Sequence, residues 1–169
     1  MKVILFCTTS VDGKIATGSA DSTEWTTKGN KRIFAEETKK AGVIIMGNNT
    51  FKAIGRPLPD RLNVVVTAST AGKESQRGVL EYMAAQPRRI WEQLKKRGFK
   101  TVFVIGGGRA NSLFMKAGVI NEIWLLWEPV VLGEGLGLFA EVGKTKLKLI
   151  SVQRVLDNLL FVKYGVETA

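Results

Sequence analysis

Short apolar runs recur along the chain, separated by stretches whose apolar residues return at helical spacing. Val3–Thr9, "VIIMG" from Val43, "LNVVVT" from Leu62 and "TVFVIGGG" from Thr101 lack polar alternation. Such runs belong to strands buried on both faces of a parallel sheet. Between them, Thr27 to Ala41 sets Ile33 and Phe34 on one side of a charged helical pattern that Gly42 closes. Asn49–Ile54 reads as a short helix. In "QPRRIWEQLKKRGF", Pro87 stands near the first helical position and Gly98 just past the end, with Ile90, Trp91 and Leu94 on one face. "RANSLFMKAGV" continues the alternation as a helix. "INEIWLLWEPVVLGEG" reads as a long strand that meets Pro129 and a loop. At the end, "KLKLISVQRV" and "NLLFVKYGV" flank "LDN", a hairpin turn. The order predicts an α/β fold with a mostly parallel central sheet and a C-terminal antiparallel hairpin.

One stretch departs from this alternation. "SVDGKIATGSADSTEW" is rich in Gly, Ser, Asp and Thr and reads as a mobile surface loop. With 169 residues and 45% apolar content, residues 1–169 are expected to form one domain with a sizeable core. The apolar runs are too short to span a bilayer, and the apolar core of "MKVILFC" is too short for a signal peptide. No membrane association is expected. Cys7 is the single cysteine, which excludes an internal disulfide and fits a reducing cytoplasm. Histidine is absent, so histidine general bases, Ser-His-Asp triads and the commonest metal ligands are excluded, and no metal is assigned. The net charge of +10 favours anionic partners: nucleic acid, a phosphorylated cofactor or a carboxylate substrate.

Ligands of such sheets bind beyond the carboxyl ends of strands, where backbone amides at helix starts face anions. Strands end in this way at Gly47 and at Gly106-Gly107-Gly108. Glycine there lets a diphosphate approach the backbone, although the six-residue dinucleotide fingerprint is not met.

"MGNNTFKAIGRPLPDRLNVVVT", from Met46, resembles the second-strand segment of dihydrofolate reductases, and "VFVIGGGR" their glycine segment. "SVDGKIATGSADSTEWTT" and "INEIWLLWEPVVLGEG" resemble the reductase domain of the riboflavin-pathway deaminase–reductase. These families share one fold, and the likeness spans about Val3 to Gly135. The resemblance implies a dihydrofolate reductase-like fold with helices on both faces of the sheet. It also implies an NADPH-dependent reductase that transfers hydride to a C=N bond. By that likeness Thr8 and Ile15 hold the nicotinamide carboxamide through backbone groups. Gly47, Asn48, Asn49 and Thr50 start a helix against the diphosphate, with Thr50 on a phosphate oxygen. Gly106 and Gly107 form a cis peptide at the cofactor, with Gly108 and Arg109 beside it. Arg61 matches the arginine that grips the glutamate carboxylate of folate, a bidentate task that suits a planar guanidinium. Pro57 and Pro59 stiffen its loop. Phe6, Cys7, Trp25, Phe34 and Ile54 complete the expected substrate side.

The chain departs from the pattern at the proton donor. The acid expected early in the first helix falls at Asn30 or Lys31, and its supporting threonine at Leu126. Glu128 and Glu24 are the remaining candidate carboxylates for that role. Asn48 replaces the arginine that selects the 2′-phosphate, leaving Thr67, Ser69, Lys73 or Arg77 for it. The zinc deaminase signatures of the bifunctional enzyme are absent.

Arg88, Arg89, Lys95 and Lys96 read as a solvated basic helix face, and no aromatic residues interleave with them as a nucleic-acid platform requires. Trp124 and Trp127 point to opposite faces of one strand, so that one lies in the core and the other is available to a homodimer contact. The favoured substrate is dihydrofolate. The second reading is the ribosylaminopyrimidine phosphate of riboflavin synthesis. A third is a non-catalytic, basic RNA-binding protein on the same fold.

Overall fold

The computed structural model describes residues 1–18 and 23–167. Part of the loop expected to be mobile, residues 19–22, therefore lies outside the described residues. The elements in chain order are β1 (Lys2–Thr9), β2 (Lys14–Ala16), α1 (Lys28–Ala41), β3 (Val43–Gly47), α2 (Asn48–Ile54), β4 (Leu62–Val66) and β5 (Leu80–Met83). They continue as α3 (Pro87–Lys96), β6 (Thr101–Val104), α4 (Gly108–Lys116), β7 (Glu122–Trp127), β8 (Leu136–Gly137), β9 (Leu147–Leu156) and β10 (Leu159–Val166).

Eight strands form one sheet in the order β5-β4-β3-β6-β1-β7-β10-β9. Pairings from β5 through β7 are parallel, and β10 pairs antiparallel with both β7 and β9. Alternation along β1 assigns its side chains to the two faces. Val3, Leu5 and Cys7 meet Ile90 and Leu94 of α3 and Phe114 of α4. Ile4 and Phe6 point the other way, toward Ile33 and Phe34 of α1 and Phe51 and Ile54 of α2. Helices thus cover both faces of a mostly parallel sheet that ends in an antiparallel hairpin. Among the described residues no helix is long and apolar enough to cross a membrane.

Local signals account for most boundaries. Thr27 caps α1 by accepting the Asn30 amide, and Gly42 ends it in the left-handed region at φ 71°. Pro87 opens α3, and the β9–β10 turn falls on Asp157-Asn158. Trp124 and Trp127 do point to opposite faces, but each packs against a core cluster. Trp124 is further covered by the Lys163 ammonium, 3.8 Å from its ring centroid. The sequence reading assigns no strand to β2, β5 or β8. β2 and β8 are three and two residues long and pair only with each other, so neither carries a periodic signal.

A cation-lined cleft as the candidate active site

β3 runs into α2 and β6 into α4 side by side, because β3 and β6 are neighbours in the sheet. The Gly47 amide donates to the Gly106 carbonyl at 2.8 Å, which ties the two strand ends together. The Gly106-Gly107 peptide is cis, as the resemblance implies. A Cβ on Gly107 would stand 3.3 Å from Thr50 Oγ1, so the glycine brings the start of α4 against the first turn of α2. The amides opening an α-helix have no intrahelical partner, so two sets of free donors converge here.

These strand ends form one wall of a cleft of about 2140 Å³. That volume exceeds the several hundred Å³ of an ordinary small-molecule pocket and suits a dinucleotide and a second ring together. The cleft gathers Phe6, Cys7, Thr8, Ile15, Trp25, Asn30, Lys31, Phe34, Ile54 and Arg61 from the expected substrate and nicotinamide side. It also gathers Gly47, Asn48, Asn49, Thr50, Thr67, Gly106, Gly107, Gly108 and Arg109 from the expected cofactor side. Ile15 reaches it because β2 pairs with β8, whose Leu136 and Gly137 line the same wall.

Charge in the cleft is of one sign. Lys31, Lys39, Arg56, Arg61, Arg89 and Arg109 line it, and among the described residues no aspartate or glutamate does. Both carboxylates expected to deliver a proton lie elsewhere. Glu128 is 2% exposed behind the start of α1, where its Oε1 accepts the Thr27 amide at 2.8 Å and hydroxyl at 3.0 Å. Glu24 is exposed and does not line the cleft. The reason is topological: β7 ends beneath the helix cap rather than at the cleft, a distance along the fold that sequence order does not reveal.

Asn30 stands where the acid is expected, 1% exposed, and its Oδ1 accepts the Thr8 hydroxyl at 2.8 Å. Thr8 and Leu126 are register partners on β1 and β7, so the hydroxyl comes from the strand next to the one expected. Phe6 is fully buried among Phe34, Phe103, Phe161 and Trp124, with ring centroids 5.0 to 5.9 Å away. Phe34, by contrast, is half-buried, and both rings line the cleft. Burial, partly offset by the Asn111 amide, pushes the Cys7 thiol up to about 12.

Arg61 is 7% exposed, and among the described residues no carboxylate is bonded to it. Nε donates to the Pro59 carbonyl at 2.8 Å, and Nη1 donates to the Ala35 carbonyl and to the Thr38 hydroxyl. Burial pushes the guanidinium down from its ordinary value, with the neighbouring Asp60 charge working the other way. The loop that aims it is held by Asn63, which sequence reading passes over inside "LNVVVT". Its Nδ2 donates to the carbonyls of Leu58, Arg61 and Val79, and its Oδ1 accepts the Leu58 amide. A buried amide inside an otherwise apolar strand was the available signal.

The expected 2′-phosphate group divides. Thr67 lines the cleft, though its hydroxyl donates to the Ser69 carbonyl at 3.0 Å. Ser69, Lys73 and Arg77 do not line it. Lys73 instead donates to Asn48 Oδ1 at 3.2 Å and lies over the Tyr82 ring. Arg89, read from sequence as part of a solvated face, lines the cleft with Gln86.

An uncharacterized protein of Bacillus subtilis (strain 168), YwjB, is 26% identical over 156 residues, covering 88% of each chain. A putative riboflavin biosynthesis protein from Shewanella sp. PV-4 superposes with a TM-score of 0.77 at 24% identity, covering 99% of this chain and 100% of that one. A diaminohydroxyphosphoribosylaminopyrimidine deaminase/5-amino-6-(5-phosphoribosylamino)uracil reductase from Thermotoga maritima also gives 0.77, at 18% identity, over 98% of this chain and 56% of that one. These two likenesses show a shared fold. The family model described as dihydrofolate reductase matches residues 4–122, and the chain belongs to the dihydrofolate reductase family.

Proposed function

We propose that the protein is an NADPH-dependent reductase that transfers hydride to a C=N bond of a planar heterocycle bearing an anionic arm. Dihydrofolate is the first substrate. Arg61 carries this reading: it is a buried guanidinium with no carboxylate partner among the described residues, at the end of "IGRPLPDR", on the wall of the cleft. A buried charge of this kind is stabilised by a bound anion, and its fork suits a carboxylate.

NADPH fits the other half of the cleft. Thr50, the amides opening α2 and α4, and the space left by Gly107 suit its diphosphate, while Ile15 and Thr8 border the nicotinamide. Arg109 and Arg89 add the positive charge that favours the phosphorylated cofactor. Bound there, NADPH supplies the hydride. The chain holds the ring between Phe34, Ile54 and Trp25, fixes the anionic arm at Arg61, and narrows the access of water. The proton for the ring nitrogen comes from water, in keeping with a cleft whose described residues include no carboxylate.

One observation favours a second substrate. Asn30 is neutral, so the site lacks the acid that a pterin reductase uses, and the uracil reductase named above shares the fold. The ribosylaminopyrimidine phosphate then places its phosphate at Arg61. NADPH oxidation by the purified chain, with the two substrates in parallel, tests both. Turnover of dihydrofolate upholds the first substrate, turnover of the pyrimidine alone replaces it, and failure to bind NADPH overturns the reductase reading.

A further inference from the structure

The segment that joins β7 to β9 borders the cleft with only the two-residue β8 as regular structure. Its Leu136, Gly137, Phe139 and Ala140 line the wall, and β8 pairs with β2, which carries Ile15. Two successive residues of α4 hold this strap. Asn111 Nδ2 donates to the Leu138 carbonyl at 2.8 Å, and Ser112 Oγ accepts the Ala140 and Glu141 amides at 3.0 and 3.1 Å. Asn111 also reaches β1, where its Nδ2 lies 3.5 Å from the sulfur of Cys7, the residue before Thr8. One side chain thus ties α4 to the two elements that carry Ile15 and Thr8 to the cleft.

Stability alone does not account for that side chain. Asn111 is 0% exposed, and its Oδ1 is one of three buried side-chain polar atoms without a partner among the described residues. The Leu138 carbonyl fixes the orientation, since only the NH₂ half can face it. A buried acceptor left unpaired costs as much as, or more than, a well-made bond returns, and an apolar side chain of similar shape avoids that cost. Leu138 itself is only half-buried, within reach of water should the donor be lost. We propose that Asn111 is a positioning residue for the cofactor. By holding the Leu138 carbonyl it sets the depth of β8 and, through β2, the place of Ile15 against the nicotinamide. The adenosine end, by Thr67, lies outside its influence. This rests on the reductase reading and names what the grip on the nicotinamide end depends on.

The test is calorimetric titration of the full chain with NADPH and with adenosine 2′,5′-bisphosphate, which has the phosphorylated adenosine and no nicotinamide. For Asn111→Leu the affinity for NADPH is expected to fall about fivefold or more, one hydrogen bond's worth, with that for the bisphosphate unchanged. The melting temperature should stay at or above the wild-type value, and amide exchange should quicken in β2 and β8. Wild-type affinity for NADPH, or an equal loss for both ligands, would overturn the proposal. So would an Asn111→Leu chain that melts earlier or fails to fold, because the amide would then be holding the fold rather than the cofactor. NADPH affinity and amide exchange moving one without the other overturns it too, since the strap would not be what carries the effect. A wild-type chain that binds no NADPH overturns the reductase reading and this role with it. A wild-type chain that binds NADPH leaves that reading standing, whichever way the variant falls.

Discussion

Glu128, just beyond β7, holds the first turn of α1 through Thr27. Its Oε1 accepts both the backbone amide and the hydroxyl of Thr27, and the same hydroxyl oxygen accepts the Asn30 amide. A carboxylate at a helix start also meets the positive end of the helix dipole. The buried acid thus acts on the cleft at one remove, by fixing the backbone that carries Asn30.

Replacing Glu128 by alanine leaves the Thr27 amide without its acceptor, so we expect a loss of about 1–3 kcal/mol in stability. Glu128→Gln keeps a carbonyl oxygen in the same place and should cost less. Urea denaturation of the two variants checks the order. If Glu128→Gln instead abolished turnover while stability and ligand affinity stayed at wild-type levels, the residue would be acting on the reacting atoms and its assignment as a cap would be wrong.

This relationship also marks what the sequence hides. Gly47, Thr50, Gly106, Gly107 and Arg61 reach one cleft as the sequence reading expects, because each sits within a short continuous motif whose neighbours set its geometry. The parallel strands are legible because burial on both faces leaves unbroken apolar runs. Glu128 and Thr27 are 101 positions apart, and Thr8 and Asn30 are 22 apart, so only the folded sheet brings each pair together. β2 and β8 fail for another reason. Two short segments pair solely with each other, and their register comes from tertiary contacts, as the close approach of Gly135 to Ala16 shows.

Arg61 supports a separate expectation. Arg61→Lys keeps the charge but loses the fork and the contacts to the Pro59 carbonyl and the Thr38 hydroxyl. KM for a substrate with an anionic arm should rise roughly tenfold or more, in line with about 1.5–3 kcal/mol for a charged hydrogen bond. The arm binds alike in ground and transition states, so kcat should change little. A reduced pterin without the arm serves as the control, and an equal rise in its KM would mean that Arg61 acts by shaping the loop.

Asp12 gives the expected pH dependence. The Ser10 hydroxyl first, then the Leu132 and Gly133 amides, hold its carboxyl down at about 2 from an ordinary 3.8. A group lowered on folding contributes stability that is present above its ordinary value and is lost as pH falls through the folded one. The window here lies between 3.8 and about 2. Asp12 ties the turn after β1 to the loop before β8, so protonation in that window should loosen the β2–β8 pair that carries Ile15 to the cleft. Carbon-13 NMR of the Asp12 carboxyl reads this directly, and a midpoint at the ordinary value would show that the latch does not form in solution.

The glycines of the two strand ends should respond differently to a single methyl group. At Gly107 the new Cβ stands 3.3 Å from Thr50 Oγ1, so the hydroxyl proposed to hold a phosphate oxygen has to give by a few tenths of an ångström. NADPH affinity should then fall by about tenfold, one hydrogen bond's worth, with the fold intact. At Gly47 the nearest protein atom is Ala110 Cβ at 3.5 Å, an ordinary contact, so Gly47→Ala should keep the wild-type melting temperature. At Gly108 the Cβ meets the Gly137 carbonyl at 2.8 Å, where backbone has to move, so Gly108→Ala should lower thermal stability by displacing β8. Fluorescence titration with NADPH beside a melting curve separates the three cases. A Gly107→Ala variant with wild-type affinity would remove Thr50 from the cofactor site.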